Sequence, residues 1–175
     1  MDAAHFVHGA FLGQVWSKER VFIPSPSGRR RFNVLGALNA ITKEVVTVEN
    51  DSYINSFSVC ELLLKLKDRS LDTPITLVLD NARYQTCKLV QDAAKELEIE
   101  LLFLPPYSPN LNLIERLWKF VKKKALNSRY YPTFKGFCQA ITETINSSDR
   151  SVIQELESLL TLNFQSFSNI NISAA

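Results

Sequence analysis

Three carboxylates offer the chemistry in this sequence: Asp2, Asp80 and Glu115. Asp80 ends the short apolar run ITLVL, and Glu115 follows the proline-rich stretch LPPYSPNLNLI. No glycine loop of the phosphate-cradling kind accompanies them. Carboxylates placed at strand ends without such a loop suggest Mg²⁺ held for a second substrate. That cation takes oxygen ligands and keeps waters and substrate phosphate oxygens in its shell. Two such ions roughly 3.5–4 Å apart can activate the attacking oxygen and stabilise the leaving oxygen of a phosphodiester. The acids of such a site must converge in space, but they can lie far apart in sequence.

Two of the acids also have a plainer reading. Asn112-x-x-Glu115 matches a capping box, worth ~1 kcal/mol to a helix start. Asp80-Asn81 is good turn chemistry and could equally cap the helix that follows. His5 and His8 would share a face on a helix, but their spacing is no known ligand signature. The residues alone leave these alternatives open.

The elements that would position the acids can be read from periodicity. Pro105, Pro106 and Pro109 exclude helix interior and central strand from the stretch before Asn110. Apolar residues then recur at Ile114, Leu117, Trp118, Val121 and Ala125, which predicts a one-faced helix with Glu115 in its first turn. Trp118 reads as core. Upstream, Arg29–Ile41 and Val45–Val48 predict a hairpin turning at Thr42-Lys43, and Ser56–Leu66 predicts a helix. Ile75–Leu79 and Ile99–Leu104 read as strands buried on both faces, with a helix over Ala82–Leu97 between them. Helices over Phe134–Ile145 and Val152–Phe167 close the chain, and Ser168–Ala175 should fray. Strand, helix and strand in that order imply a parallel right-handed unit, and the hairpin makes the sheet mixed. Ligands of such sheets gather at the carboxyl ends of the strands.

Whole-chain properties narrow the class. The 175 residues fit a single domain, with residues 150–175 as a helical tail. The net charge of +2 permits nucleic-acid binding without arguing for it. Basic residues cluster at Arg29–Arg31 and at Lys122, Lys123 and Lys124. Cys60, Cys87 and Cys138 are scattered, which points to a reducing, cytosolic setting without a disulfide framework. No apolar run approaches the roughly 18 residues needed to span a membrane.

Three blocks together resemble the catalytic domain of mariner-like DDE transposases, in the branch found in bacterial insertion sequences. They are Asp2-Ala-Ala-His-Phe, LVLDNARYQ around Asp80, and LPPYSPNLNLIERLWKFVKKK around Glu115. Thirty-four residues separate Asp80 from Glu115, the gap typical of that superfamily. The resemblance extends to the strand Asn33–Leu38 and covers nearly the whole chain. It implies an RNase H-like fold: a mixed five-stranded sheet flanked by helices. Asp2, Asp80 and Glu115 would be the catalytic metal ligands, holding Mg²⁺ or Mn²⁺, two ions in all. Asn81 would orient Asp80 or its metal water, and Asn110 and Asn112 would fix the turn presenting Glu115. Lys122, Lys123 and Lys124 would lie near the phosphate path.

The implied reaction is phosphodiester hydrolysis at a transposon end, then attack of the freed 3′-hydroxyl on target DNA. The implied partners are the terminal inverted repeats, a TA target and further copies of the protein on DNA at the nucleoid. Relatives carry N-terminal helix-turn-helix modules that read the repeats, and no such module stands in this sequence. The first strand of the fold should run into Asp2, yet only Met1 precedes it, so that strand reads as truncated. Tyr84 and Gln85 stand where relatives often have a histidine. The competing expectation is an inactive remnant or a dimerising inhibitor. An RNase H-like nuclease that cuts without joining is a third.

Overall fold

The computed structural model describes residues 1–10, 12–13, 16–24, 28–69, 73–105, 111–147 and 149–164. In chain order they form β1 (Asp2–Val7), β2 (Arg31–Leu38), β3 (Val45–Asn50), α1 (Ser56–Arg69), β4 (Ile75–Leu79), α2 (Arg83–Thr86), α3 (Lys88–Glu96), β5 (Ile99–Phe103), α4 (Ile114–Val121), α5 (Phe134–Ile145) and α6 (Arg150–Leu159). A π-helical turn, Lys122–Leu126, continues α4.

The predicted hairpin is β2 and β3, paired antiparallel. Its turn is built by Asn39, whose Oδ1 accepts from the N–H groups of Ile41 and Thr42 at 2.8 and 3.0 Å. Lys43 completes the reversal with a positive φ of 63°. β1 lies antiparallel on the other side of β2, with Asp2 opposite Gly36. β4 and β5 are parallel, as a crossover through helices requires.

All five expected strands are therefore present, but their ladder bonds divide them into a three-stranded and a two-stranded sheet. At the seam the Met1 amine donates to the Val78 carbonyl at 2.6 Å. β1 runs from Asp2 to Val7.

Three other expectations are corrected. The helix expected over Ala82–Leu97 is broken at Cys87, which is extended at φ −70° and ψ 156°. The short α2 turns Gln85 fully into the interior, and α3 then starts a new helical phase that leaves Leu89 exposed. β4 exposes Thr76, and β5 is not buried on both faces either, since Glu100 and Leu102 are exposed. Among the described residues it pairs with β4 alone, and an edge strand has one side uncovered. The last helix starts at Arg150 and ends at Leu159; Asp149 caps it, accepting from Ser151 N–H at 2.8 Å. Residues 165–175, including Phe167 and the segment expected to fray, lie outside the described residues.

Strand alternation assigns the two faces of the sheet. Ala4, Phe6, Phe32 and Val34 face α4 and α5, packing on Ile114, Leu117, Trp118 and Ile141. Leu35, Ala37, Val46 and Val48 face the other way, onto Val59, Leu62 and Leu63 of α1 and the β4–α3 unit. Asp2 has the parity of Ala4 and Phe6, so its side chain belongs to the α4 face. Arg116 of α4 ties down the end of α6 by donating to the carbonyls of Leu159, Thr161 and Asn163 at 3.2, 2.8 and 2.9 Å.

Candidate active site

Glu115 reaches the site because α4 begins where the proline stretch ends. Its N–H donates to the Asn112 carbonyl at 3.2 Å, closing the first turn. Asn112 and Glu115 do not form a capping box. The residue at the cap position is Leu113, which makes no side-chain cap bond. The buried Asn112 side chain donates instead to the Met1 carbonyl at 3.2 Å. That bond fastens the start of α4 to the peptide just before Asp2. One side chain thus sets the spacing between the strand carrying one acid and the helix carrying another.

Asp2 and Glu115 share a cleft of about 300 Å³ with His5, Trp118, Lys119 and Lys122. Glu115, Lys119 and Lys122 fall at successive helical turns, so one face of α4 and of the π-helical turn that continues it presents an acid followed by two cations. Burial raises the Asp2 carboxyl above its ordinary range, and Asp80 adds to the rise. The Ala3 N–H, the Met1 amine and the Trp118 indole act against it. Burial raises Glu115 too, and Asp2 and Asp80 push it the same way, opposed by Lys119 and Lys122. Tyr84 is pushed up to about 12 by burial, with Asp80 and Asp2 contributing, so its hydroxyl remains a donor near the acids. All three carboxylates therefore lie within electrostatic reach of one another.

Asp80 is held differently. It is exposed, just past β4, and it does not line the cleft shared by Asp2 and Glu115. The Asn81 side chain donates to the Leu104 carbonyl at 2.6 Å, while Leu104 N–H donates to the Leu79 carbonyl at 2.8 Å. Asn81 thus locks the loop after β4 to the loop after β5 and supports Asp80 through the backbone. Asn110 and the turn residues Pro106–Pro109 lie outside the described residues.

Among the described residues no three His, Cys, Asp or Glu side chains stand close enough to hold a metal ion as placed. The donor set nonetheless suits a hard divalent cation. It consists of carboxylate oxygens, two of them on acids whose ionisation is opposed by burial and by neighbouring carboxylates, Asp80 for Asp2 and both Asp2 and Asp80 for Glu115. A cation would relieve that opposition.

The remaining candidates separate. His5 and His8 do not converge: His5 Nδ1 is 2.6 Å from Asn33 Oδ1, while buried His8 places Nε2 2.9 Å from the Tyr131 carbonyl. The lysine run divides. Lys122 faces the cleft, whereas Lys123 and Lys124 pair with Glu155 of α6 at 3.3 and 2.5 Å. Lys119 and Tyr84 were missed as site residues. The i, i+4, i+7 spacing from Glu115 could have found Lys119, and Tyr84 was marked only as standing where relatives often have a histidine. A second cavity of about 180 Å³, beside His8, Arg129 and Tyr131, contains none of the acids.

The sequence matches the DDE superfamily endonuclease family over residues 1–138. No curated protein matches it at a significant level. Among solved structures it is similar to the Mos1 mariner paired end complex with Mn, at TM-score 0.64 and 17% identity over 91% of this chain and 52% of that one. It is also similar to the catalytic domain of Mos1 mariner transposase, at TM-score 0.53 and 17% identity over 80% and 74%. A chain of the simian T-cell lymphotropic virus intasome matches at TM-score 0.57 and 18% identity over 99% and 58%. The chain spans about half the length of the Mos1 chains in the paired end complexes, 52% and 50%. These likenesses bear out the expected RNase H-like, mixed α/β fold.

Proposed function

The chain belongs to the DDE superfamily endonucleases, and on that premise we propose that it is the catalytic domain of a DNA transposase of the insertion-sequence type. It would hydrolyse a phosphodiester at a transposon end and join the freed 3′-hydroxyl to target DNA. The observation that carries this reading is the pairing of Asp2 and Glu115 in one cleft, with Asp80 close enough to raise both.

Asp2, Asp80 and Glu115 are the residues that would hold Mg²⁺ or Mn²⁺, two ions in the proposal. When bound, such ions polarise the phosphodiester and make a water or 3′-hydroxyl a stronger nucleophile. The chain's own part is to position and to exclude. Asn112 fixes Glu115 relative to Asp2, and Asn81 fixes the loop of Asp80. Lys119 and Lys122 line the cleft as counter-charges for DNA phosphates, a contact that carries no base information. Lys123 and Lys124 extend the basic surface beyond it, held by Glu155.

The proposed partners are double-stranded DNA at the terminal inverted repeats and at a TA target, and further copies of the protein on paired ends. A helix-turn-helix segment, on this chain or another, would select the ends. The setting would be cytoplasmic, at the nucleoid. No helix among the described residues is long and apolar enough to cross a membrane.

A second reading is kept because the three acids form no ready-made metal cluster among the described residues. It is an inactive remnant that inhibits an intact transposase by joining its dimer. Nicking of DNA carrying the element's ends, titrated with Mg²⁺ and with Mn²⁺, separates the two. The first reading expects cation-dependent nicking that Asp80→Ala or Glu115→Ala abolishes in a folded protein. Nicking that survives Glu115→Ala refutes it, and no cleavage by a well-folded chain favours the second.

A further inference from the structure

Trp118 fills the core as its helical position predicts, but its polar atom has no core role. The residue is 4% exposed, with Phe6 edge-on at 6.5 Å and 83°. The indole Nε1 is buried without a hydrogen bond of ordinary geometry. Buried donors are normally paired, because leaving one unpaired costs ~1–3 kcal/mol.

Gly36 determines where the ring lies. A Cβ at Gly36 would stand 2.7 Å from Trp118 Cη2 and 2.8 Å from Cζ2, both impossible contacts. Cζ2 and Nε1 are bonded to the same ring carbon, so the part of the indole packed over Gly36 adjoins the N–H. Gly36 is also the cross-strand partner of Asp2. The missing side chain therefore leaves the space beside Asp2 open to the indole. Trp118 and Asp2 line the same cleft, and Phe6 closes against the ring.

We infer that Trp118 is a positioning residue for Asp2, its indole N–H donating to the Asp2 carboxylate and fixing how that carboxylate faces the cleft. Glu115 and Trp118 lie one turn apart on α4, so the helix supplies one acid and aims another. The hydrogen bond stands on its own, and its consequence for cation binding rests on the metal role proposed for Asp2.

The chain has two tryptophans, and Trp16 is almost fully exposed. Trp16→Phe therefore leaves a single indole N–H signal in a ¹⁵N spectrum, that of Trp118. In metal-free protein the signal should lie downfield and exchange slowly with solvent. Asp2→Ala in that background should move it upfield. A signal that ignores Asp2→Ala overturns the inference, and this measurement leaves the indole intact. Mg²⁺ should then shift the Trp118 signal, while Trp16 in the unmutated protein stays fixed. Trp118→Phe should raise the Mg²⁺ concentration for half-maximal thermal stabilisation about tenfold, as losing a partner of a metal ligand does. An unchanged midpoint overturns the positioning role. Failure of the unmutated protein to bind Mg²⁺ instead sinks the proposed function, and the metal-free spectrum still decides the hydrogen bond.

Discussion

Asp2 and Asp80 are both placed by strands of the central sheets, yet they are held in opposite ways. Asp2 is paired in a ladder across from Gly36, roofed by Trp118 and linked to α4 through Asn112 and the Met1 carbonyl. Asp80 hangs in an exposed loop, steadied by the Asn81 bond to Leu104. The first arrangement is built from buried, directional contacts and fixes a carboxylate together with its neighbour Glu115. The second fixes a backbone and leaves the carboxylate free to turn. On the proposed function, the Asp2–Glu115 pair would be a preformed half-site, and a divalent cation would draw the exposed Asp80 carboxylate toward it.

That contrast can be broken by mutation. The largest effect should come from the acids themselves. Asp2→Asn, Asp80→Asn and Glu115→Gln should each abolish cation-dependent DNA nicking while the far-ultraviolet spectrum stays unchanged. An Asp80→Asn protein that still nicks would remove Asp80 from the site.

The next effect should fall on the rigid half alone. Gly36→Val places atoms where Trp118 lies and should cost ~1–3 kcal/mol, read as a lower urea midpoint. Asn112→Ala strands the buried Met1 carbonyl and should cost ~1–3 kcal/mol, whereas Asn81→Ala, at an exposed position, should cost ~1 kcal/mol or less. Equal losses at the two asparagines would erase the contrast.

The smallest effect is one of pH. Asp2 and Glu115 have raised carboxyl pKa values in the fold, burial being the main cause. The folded state then binds more protons than the unfolded state from about pH 4 up to the raised values. Metal-free stability should therefore fall as pH rises through that window, and the loss should persist at neutral pH. Mg²⁺ should restore it. Asp2→Asn should flatten the slope and reduce the restoration, as thermal melts across pH would show.

Much of this was legible in the sequence because it depended on local rules. The ITLVL strand, the hairpin turn and the start of α4 after the prolines follow from period and breaker residues, and they place Asp80 and Glu115; Asp2 lies on β1, whose residues show no clean alternation, and only the resemblance pointed to it. The resemblance around Asp80 and Glu115 supplied the family. What was illegible depended on long-range contacts. Asn112 looked like a cap because its partner, Met1, is more than a hundred residues away in sequence. The lysine run looked uniform, but Glu155 of α6 claims two of its members. Cys87 breaks a helix that no proline or glycine marks. Gly36 carried no turn signal, since the reason for its missing side chain is a ring on another element.

A crystal structure of the protein soaked with Mn²⁺, read by anomalous scattering, tests the central claim most directly. The account predicts an anomalous peak in the cleft contacted by carboxylate oxygens of Asp2, Glu115 and Asp80, with the Asp80 side chain turned inward. A peak held without Asp80, or strong manganese sites that avoid the cleft altogether, would contradict it.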